Sequence, residues 1–280
     1  MTAPQPFNLK ATIESGQPLT FHADYSKSDG SEFLSYVTSS GRVDAAFAGP
    51  AMRLLPSSDA VEDVSVRLGM DHDIKRIYKR ISTDKFMEEA IRAYEGMRVT
   101  RNDPWETTLC FVVSQFNNLK RIRGSVRDMI ARFGEVHVTA NGTRARLFPN
   151  QDSLYNASEK SVFACGTGFR AKYIKSIARS CVENGFEFGP LNRMPYAKAK
   201  ERLMELDGIG DKVADCILLF AYGKYEAFPI DTWVKRVVEN IYFKGETKSV
   251  RQIHEFAEQK WGKHAGYAQQ YLFWHGRSIA

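Results

Sequence analysis

An amine and a carboxylate nineteen residues apart carry the chemistry open to this chain. Lys212 follows the turn Asp207-Gly208-Ile209-Gly210, and Asp231 follows a proline in Phe228-Pro229-Ile230-Asp231-Thr232-Trp233. A lysine in the first turn of a helix sits at the positive end of the dipole, where the ammonium form is disfavoured. The free amine is a nucleophile and the ammonium is not. A neighbouring carboxylate can move protons and stabilise cationic character on a sugar carbon. Taken alone, Lys212 also reads as a phosphate contact or a solvated residue, and Asp231 as a common helix cap. Their spacing favours the reactive pair: a helix of roughly three turns follows Lys212, and the loop Gly223–Phe228 returns the chain toward it.

The element that must position the amine is legible in residues 203–220, LMELDGIGDKVADCILLF. One helix ends near Leu206 and a second starts near Asp211, with Val213, Cys216, Ile217 and Phe220 at helical spacing. Two glycines between them predict a helix–hairpin–helix whose amides at Gly208 and Gly210 grip a DNA backbone without reading sequence. A plain helix turn would need only one glycine as its cap.

Around this motif the texture changes near residue 70. Before it, Phe7–Ile13, Leu19–Ala23, Phe33–Thr38, Val43–Phe47 and Val64–Leu68 read as short strands separated by Gly/Ser-rich breaks. After it, helices are predicted at Asp73–Ile81, at Asp84–Tyr94, and from Asp103-Pro104 through the apolar run to Val113. Residues 135–148 read as a hairpin turning at Asn141-Gly142. The fold class is α+β: an antiparallel sheet with linking helices over 1–98, packed on a helical region over 99–280, with 135–150 a hairpin joining the N-terminal sheet.

Composition narrows the partners. The chain has 280 residues, 43% hydrophobic, with 39 Lys and Arg against 33 Asp and Glu. The net charge of +6 permits nucleic-acid binding through a folded surface, since no basic tail is present. No apolar run is long enough to span a bilayer, and MTAPQPFNLK lacks the regions of a signal peptide. An intracellular protein is expected: cytoplasm or nucleoid in a prokaryote, nucleus in a eukaryote. Cys110, Cys165, Cys181 and Cys216 form no CxxC pair, and none follows Cys216. That opposes a disulfide framework, a cysteine-rich zinc site and a C-terminal iron–sulfur cluster.

The 203–234 segment resembles the helix–hairpin–helix DNA glycosylase superfamily, in which the lysine marks the members that are also lyases. Lys212-Val213-Ala214-Asp215-Cys216-Ile217, Gly168-Phe169-Arg170-Ala171-Lys172-Tyr173, Asn117-Asn118-Leu119-Lys120-Arg121-Ile122 and Ala265-Gly266-Tyr267-Ala268-Gln269 with Leu272-Phe273 resemble the 8-oxoguanine DNA glycosylase family. The resemblance implies an all-α helix–hairpin–helix glycosylase core, Lys212 and Asp231 as catalytic residues, and a base pocket of Gly16, Cys216, Gln269 and Phe273. It implies DNA contacts at Asn117, Arg121, Phe169, Arg170, Gly208, Gly210 and Trp233. Within these, Asn117 would fill the gap in the duplex, while Arg121 and Arg170 would face the orphaned base. Gln269 and Phe273, four apart, share a helical face suited to hydrogen bonding and stacking on a base. The partner would be duplex DNA containing 8-oxoguanine. The chain would act as a monomer, with no catalytic metal or redox cofactor and a structural cation at the hairpin carbonyls. Rival readings are a glycosylase for other damaged bases and a non-catalytic DNA-binding module. The chain departs from the family at Phe116, where an asparagine is usual, at Phe169, which replaces tyrosine, and at Trp233, near a common histidine. These departures predict weak discrimination of the base opposite the lesion.

Overall fold

The computed structural model describes residues 5–55, 58–59 and 64–279. Its N-terminal layer is a four-stranded antiparallel meander in the order β1 (Asp24–Ser28), β2 (Ser31–Val37), β3 (Arg42–Ala48) and β4 (Ala51–Leu54). Asp29 and Gly30, both at positive φ, form the two-residue turn between β1 and β2, as the right-handed twist of paired strands favours. The register sets Leu34 opposite Ala45 and Tyr36 opposite Val43, all four buried.

Three stretches predicted as strands are helical. Leu9–Glu14 is a helix because the Asn8 side chain caps it, accepting from Ala11 N at 2.9 Å. Pro18–His22 starts on a proline, and Val64–Arg67 forms one short turn. A brief apolar run suits a buried strand or one helical face, so tertiary packing decides between them. Leu9, Ile13, Leu19 and Leu68 pack with Leu34, Val43 and Phe47 in one core. The sequence reading also missed β1 and β4, whose residues are mostly exposed and carry no apolar alternation.

The C-terminal layer is helical. Pro104–Ser114 is buried from Trp105 to Val113 and packs against Asp211–Tyr222, because a helix apolar on all sides is stable only inside. Its Asp103 cap accepts from Trp105 N and Glu106 N. The predicted helices at 73–81 and 84–94 are Ile74–Ile81 and Lys85–Ala93, capped by Asp73 and Asp84. The hairpin Val136–Val138 (β5) and Arg144–Arg146 (β6) is present, but it pairs only with itself among the described residues. It does not join the meander, which it meets through Phe148 N donating to Thr38 O and through His137 against Asp59.

Buried polar contacts lock the layers together. Arg67 and Glu106 form a buried ion pair at 2.5 Å. Gln17, fully buried, donates to Arg98 O and accepts from Thr100 N, while Gln270 of the last helix, Ala265–Ile279, donates to Ser15 O. These bonds press the turn at Gly16 against that helix. Among the described residues no helix is long and apolar enough to cross a membrane.

Candidate active site and nucleic-acid interface

Tyr196–Met204 and Asp211–Tyr222 flank the glycine turn as predicted. The two glycines do different work. Gly208 sits at φ +82°, and a Cβ there would lie 2.4 Å from Tyr173 Cγ, so this glycine is required for packing rather than for phosphate approach. Gly210 N-caps the second helix without a side chain, and a Cβ on it would meet nothing within 4 Å. The turn is therefore open toward an outside anion at Gly210, where first-turn amides point outward.

Two turns of that helix carry Lys212 and Cys216. The Lys212 Nζ lies 3.5 Å from Ser114 Oγ and 5.3 Å above the Phe111 ring. No ion-pair partner faces it among the described residues. Burial pushes the Cys216 thiol up to about 12 against the pull of Lys212, so Cys216 is a neutral, apolar wall at physiological pH. Asp231 N-caps Thr232–Tyr242, with Oδ1 accepting from Val234 N at 2.7 Å. The cap fixes the carboxylate at the end of the loop that returns from Asp211–Tyr222.

Lys212 and Asp231 line one cavity of about 520 Å³, together with Gly16, Cys216, Gln269 and Phe273. This volume suits a small extruded ligand. The wall is built from three remote segments. Gly16, at φ +79°, approaches Phe273 so closely that a Cβ would lie 3.0 Å from Cε1. Gln269 is buried, and its Oε1 has no hydrogen-bond partner. Buried polar atoms are nearly always paired, so an orphan in a cavity wall marks a ligand position.

Asn117, Gly210 and Trp233 also line the cavity; Arg121, Phe169, Arg170 and Gly208 do not. Arg170 differs most from expectation. Its guanidinium is buried and donates to the carbonyls of Gln115, Phe116 and Thr167. In the free chain it holds the loop between Pro104–Ser114 and Leu119–Phe133. Asn117 differs too: its amide donates to Val113 O at 3.1 Å and accepts from Asn118 N at 3.0 Å, so it closes the loop internally. Arg121 is exposed at the start of the following helix, and its charge is near enough to hold the Arg170 pKa down, after burial.

Sequence reasoning missed Ser114, Gln115 and Arg277. Gln115 Nε2 donates to Gly208 O at 3.0 Å and so ties the loop to the hairpin. Arg277 lies 5.4 Å over Phe273 and 5.9 Å over Trp233 at the cavity rim; its spacing four after Phe273 was the available signal. Ser114 left none, since only folding brings it to Lys212.

Beneath the hairpin, Lys200 Nζ bridges Asp211 (2.7 Å) and buried Asp215 (2.9 Å), while His254 faces both and Tyr196 donates to Asp215. The His254 bond and Lys200 hold the Asp211 carboxyl below its ordinary range, whereas burial pushes Asp215 up. This network neutralises the acidic residue nearest the helix N-terminus, where an unpaired carboxylate would oppose a phosphate. In the turn, the carbonyls of Leu206 and Gly208 accept from Ile209 N and Gln115 Nε2. Their second lone pairs are what remains for a cation, a set suited to a weakly held ion with oxygen ligands.

Comparison with known proteins gives a consistent picture. A family model, HhH-GPD superfamily base excision DNA repair protein, matches residues 109–263. A probable N-glycosylase/DNA lyase of Methanothermobacter thermautotrophicus is 30% identical over 243 residues, which are 80% of this chain and 77% of the relative. The structure of MBOgg1 with a low-affinity DNA ligand is 31% identical, with a TM-score of 0.88 over 98% of this chain and 93% of that one. The Clostridium acetobutylicum 8-oxoguanine glycosylase/lyase, solved with double-stranded DNA containing cytosine opposite 8-oxoG, is 28% identical, with a TM-score of 0.86 over 98% and 92%.

Proposed function

The chain belongs to the HhH-GPD superfamily of base excision DNA repair proteins, and from that premise we propose that it is a bifunctional DNA glycosylase and AP lyase that excises 8-oxoguanine from duplex DNA. The observation that carries this reading is the meeting of an amine, a carboxylate and a buried unpartnered amide around one cavity. A DNA-binding module needs the hairpin but not these three groups.

The open amides around Gly210 take a backbone phosphate near the lesion. The damaged nucleotide leaves the stack and enters the cavity. Phe273 stacks on one face of the base and Cys216 lies against the other. The Gln269 amide meets the Watson–Crick edge. The carbonyl of Gly16 accepts from N7–H, the proton that 8-oxoguanine carries and guanine lacks.

Once its proton has been handed on, the lone pair of Lys212 Nζ forms a bond to C1′ as the bond from C1′ to the base breaks, and the departing base takes up a proton. Asp231 stabilises the positive charge that develops on the sugar and relays protons. The sugar ring opens to a Schiff base on Nζ. Loss of a C2′ proton expels the 3′ phosphate and cuts the strand. A cation on the turn oxygens, where one binds, would add positive charge beside the phosphate; the amine and carboxylate belong to the chain itself. Lys212, Asp231 and the pocket residues named here belong to one chain, which favours action as a monomer.

Borohydride trapping tests the reading directly. The protein should crosslink to a duplex containing 8-oxoguanine, and Lys212→Gln should abolish the crosslink while DNA binding stays within about threefold, since phosphate contacts dominate affinity. Undiminished trapping by the variant would overturn the nucleophile assignment.

A further inference from the structure

We propose that Phe116, and not Asn117, is the side chain that enters the duplex when a nucleotide is extruded. The inference rests on the glycosylase reading and adds to it the identity and chemistry of the intruding group.

Phe116 is 95% exposed, more than any other large apolar residue described. It stands on the loop at the mouth of the catalytic cavity, which it helps to line. Its φ of +46° lies in the left-handed region, where a bulky side chain without local hydrogen bonds is a genuine outlier. An exposed phenyl ring gains nothing from burial in the free protein, so neither packing nor propensity accounts for it. The surrounding bonds account for the backbone instead. Buried Arg170 clasps the carbonyls of Gln115 and Phe116 from one side, and Gln115 anchors to Gly208 from the other. The ring is thus held outward by a rigid base, as an intruding group must be.

Asn117 lacks this freedom. Its donor holds Val113 O and its acceptor holds Asn118 N, so insertion would break both bonds. Phe169, 49% exposed, packs its ring on the Arg170 guanidinium at 4.4 Å. Two exposed rings therefore flank the same arginine clasp, a pairing suited to holding stacked bases apart. A phenyl ring fills the vacated space by stacking and carries no hydrogen-bonding group. With Arg170 engaged by the loop, the opposite base would be read weakly at this position, whatever its identity.

The test places 2-aminopurine beside the lesion and follows its fluorescence as protein binds, using the Lys212→Gln background so that no chemistry intervenes. Unstacking by the intact loop should raise the signal at least about twofold, and Phe116→Ala should abolish the rise while Phe116→Trp retains it. In the active protein, Phe116→Ala should slow single-turnover excision at least about tenfold on a paired lesion, but less than about threefold on a lesion in a bulge with no opposing nucleotide. An equal fluorescence rise in Phe116→Ala would overturn the proposal. So would unchanged excision on paired duplex. Absence of excision by the unsubstituted chain, with the fluorescence response intact, would instead sink the glycosylase reading.

Discussion

Gln269→Met separates the pocket's role from its stability. In the free protein the Gln269 Oε1 is buried without a partner. Such an atom costs about 1–3 kcal/mol, because it gave up water and gained nothing. Methionine has nearly the same length and no polar atoms, so the exchange should recover part of that cost. Glutamine and methionine lose similar rotamer freedom on burial, so at the lower end of that range the net gain is about 1 kcal/mol. For a chain of this size that raises Tm by roughly 2–4 °C. The same exchange removes the hydrogen bonds to the base, worth about 1.5–3 kcal/mol together, or roughly 10- to 150-fold in single-turnover excision. An abasic site has no base to hold, so cleavage of a preformed abasic site should stay within about threefold of the unsubstituted rate. The assays are a thermal melt, excision of 8-oxoguanine and cleavage at an abasic site, all on one preparation. The reasoning fails if the variant melts lower by several degrees, or if excision and abasic cleavage fall in parallel. Either result would make Gln269 a structural residue.

Asp231 can be split into cap and charge. Asparagine preserves the bond to Val234 N that the carboxylate now accepts, so Asp231→Asn should keep Tm while lowering excision at least about 100-fold. Asp231→Ala should lose activity similarly and also about 1 kcal/mol of stability; a fast Asp231→Asn enzyme would remove the carboxylate from the mechanism. Stability should also report on His22, whose pKa is driven down from 6.5 to about 3 by burial and then by Arg67, Arg127 and Arg123. Folding favours its neutral form, so its contribution is complete above about pH 6.5 and falls away as acid charges the unfolded chain first. Between pH 7 and 5 the unsubstituted protein should lose about 2 kcal/mol more than His22→Leu in urea titrations; parallel pH profiles would show that the buried imidazole is not the sensor.

The sequence alone determined the parts of this protein set by local chemistry. Two glycines between helical periodicities can only be a tight interhelical turn, and Asp103, Asp84 and Asp231 cap helices because their side chains satisfy amides two or three residues on. Lys212, Cys216 and Asp231 were legible because they ride on these local elements. Spacing put Gln269 and Phe273 on one helical face, while the resemblance supplied their place in a base pocket. Short apolar runs were not, since Leu9–Glu14 and Pro18–His22 are helices only in the presence of the core they cover. Tertiary structure decided which polar groups remain free to act. Arg170 and Asn117 have the composition of DNA-reading residues, yet the loop engages both, because buried carbonyls and amides must be paired. The same pairing leaves Phe116 outside and the Gln269 oxygen unmet. Residue spacing does not encode the Arg170 clasp, because its bonds to Gln115 O and Phe116 O join segments that meet only when the chain has folded, whereas the Asn117 bond to Val113 O is local and is set by the path of the loop itself.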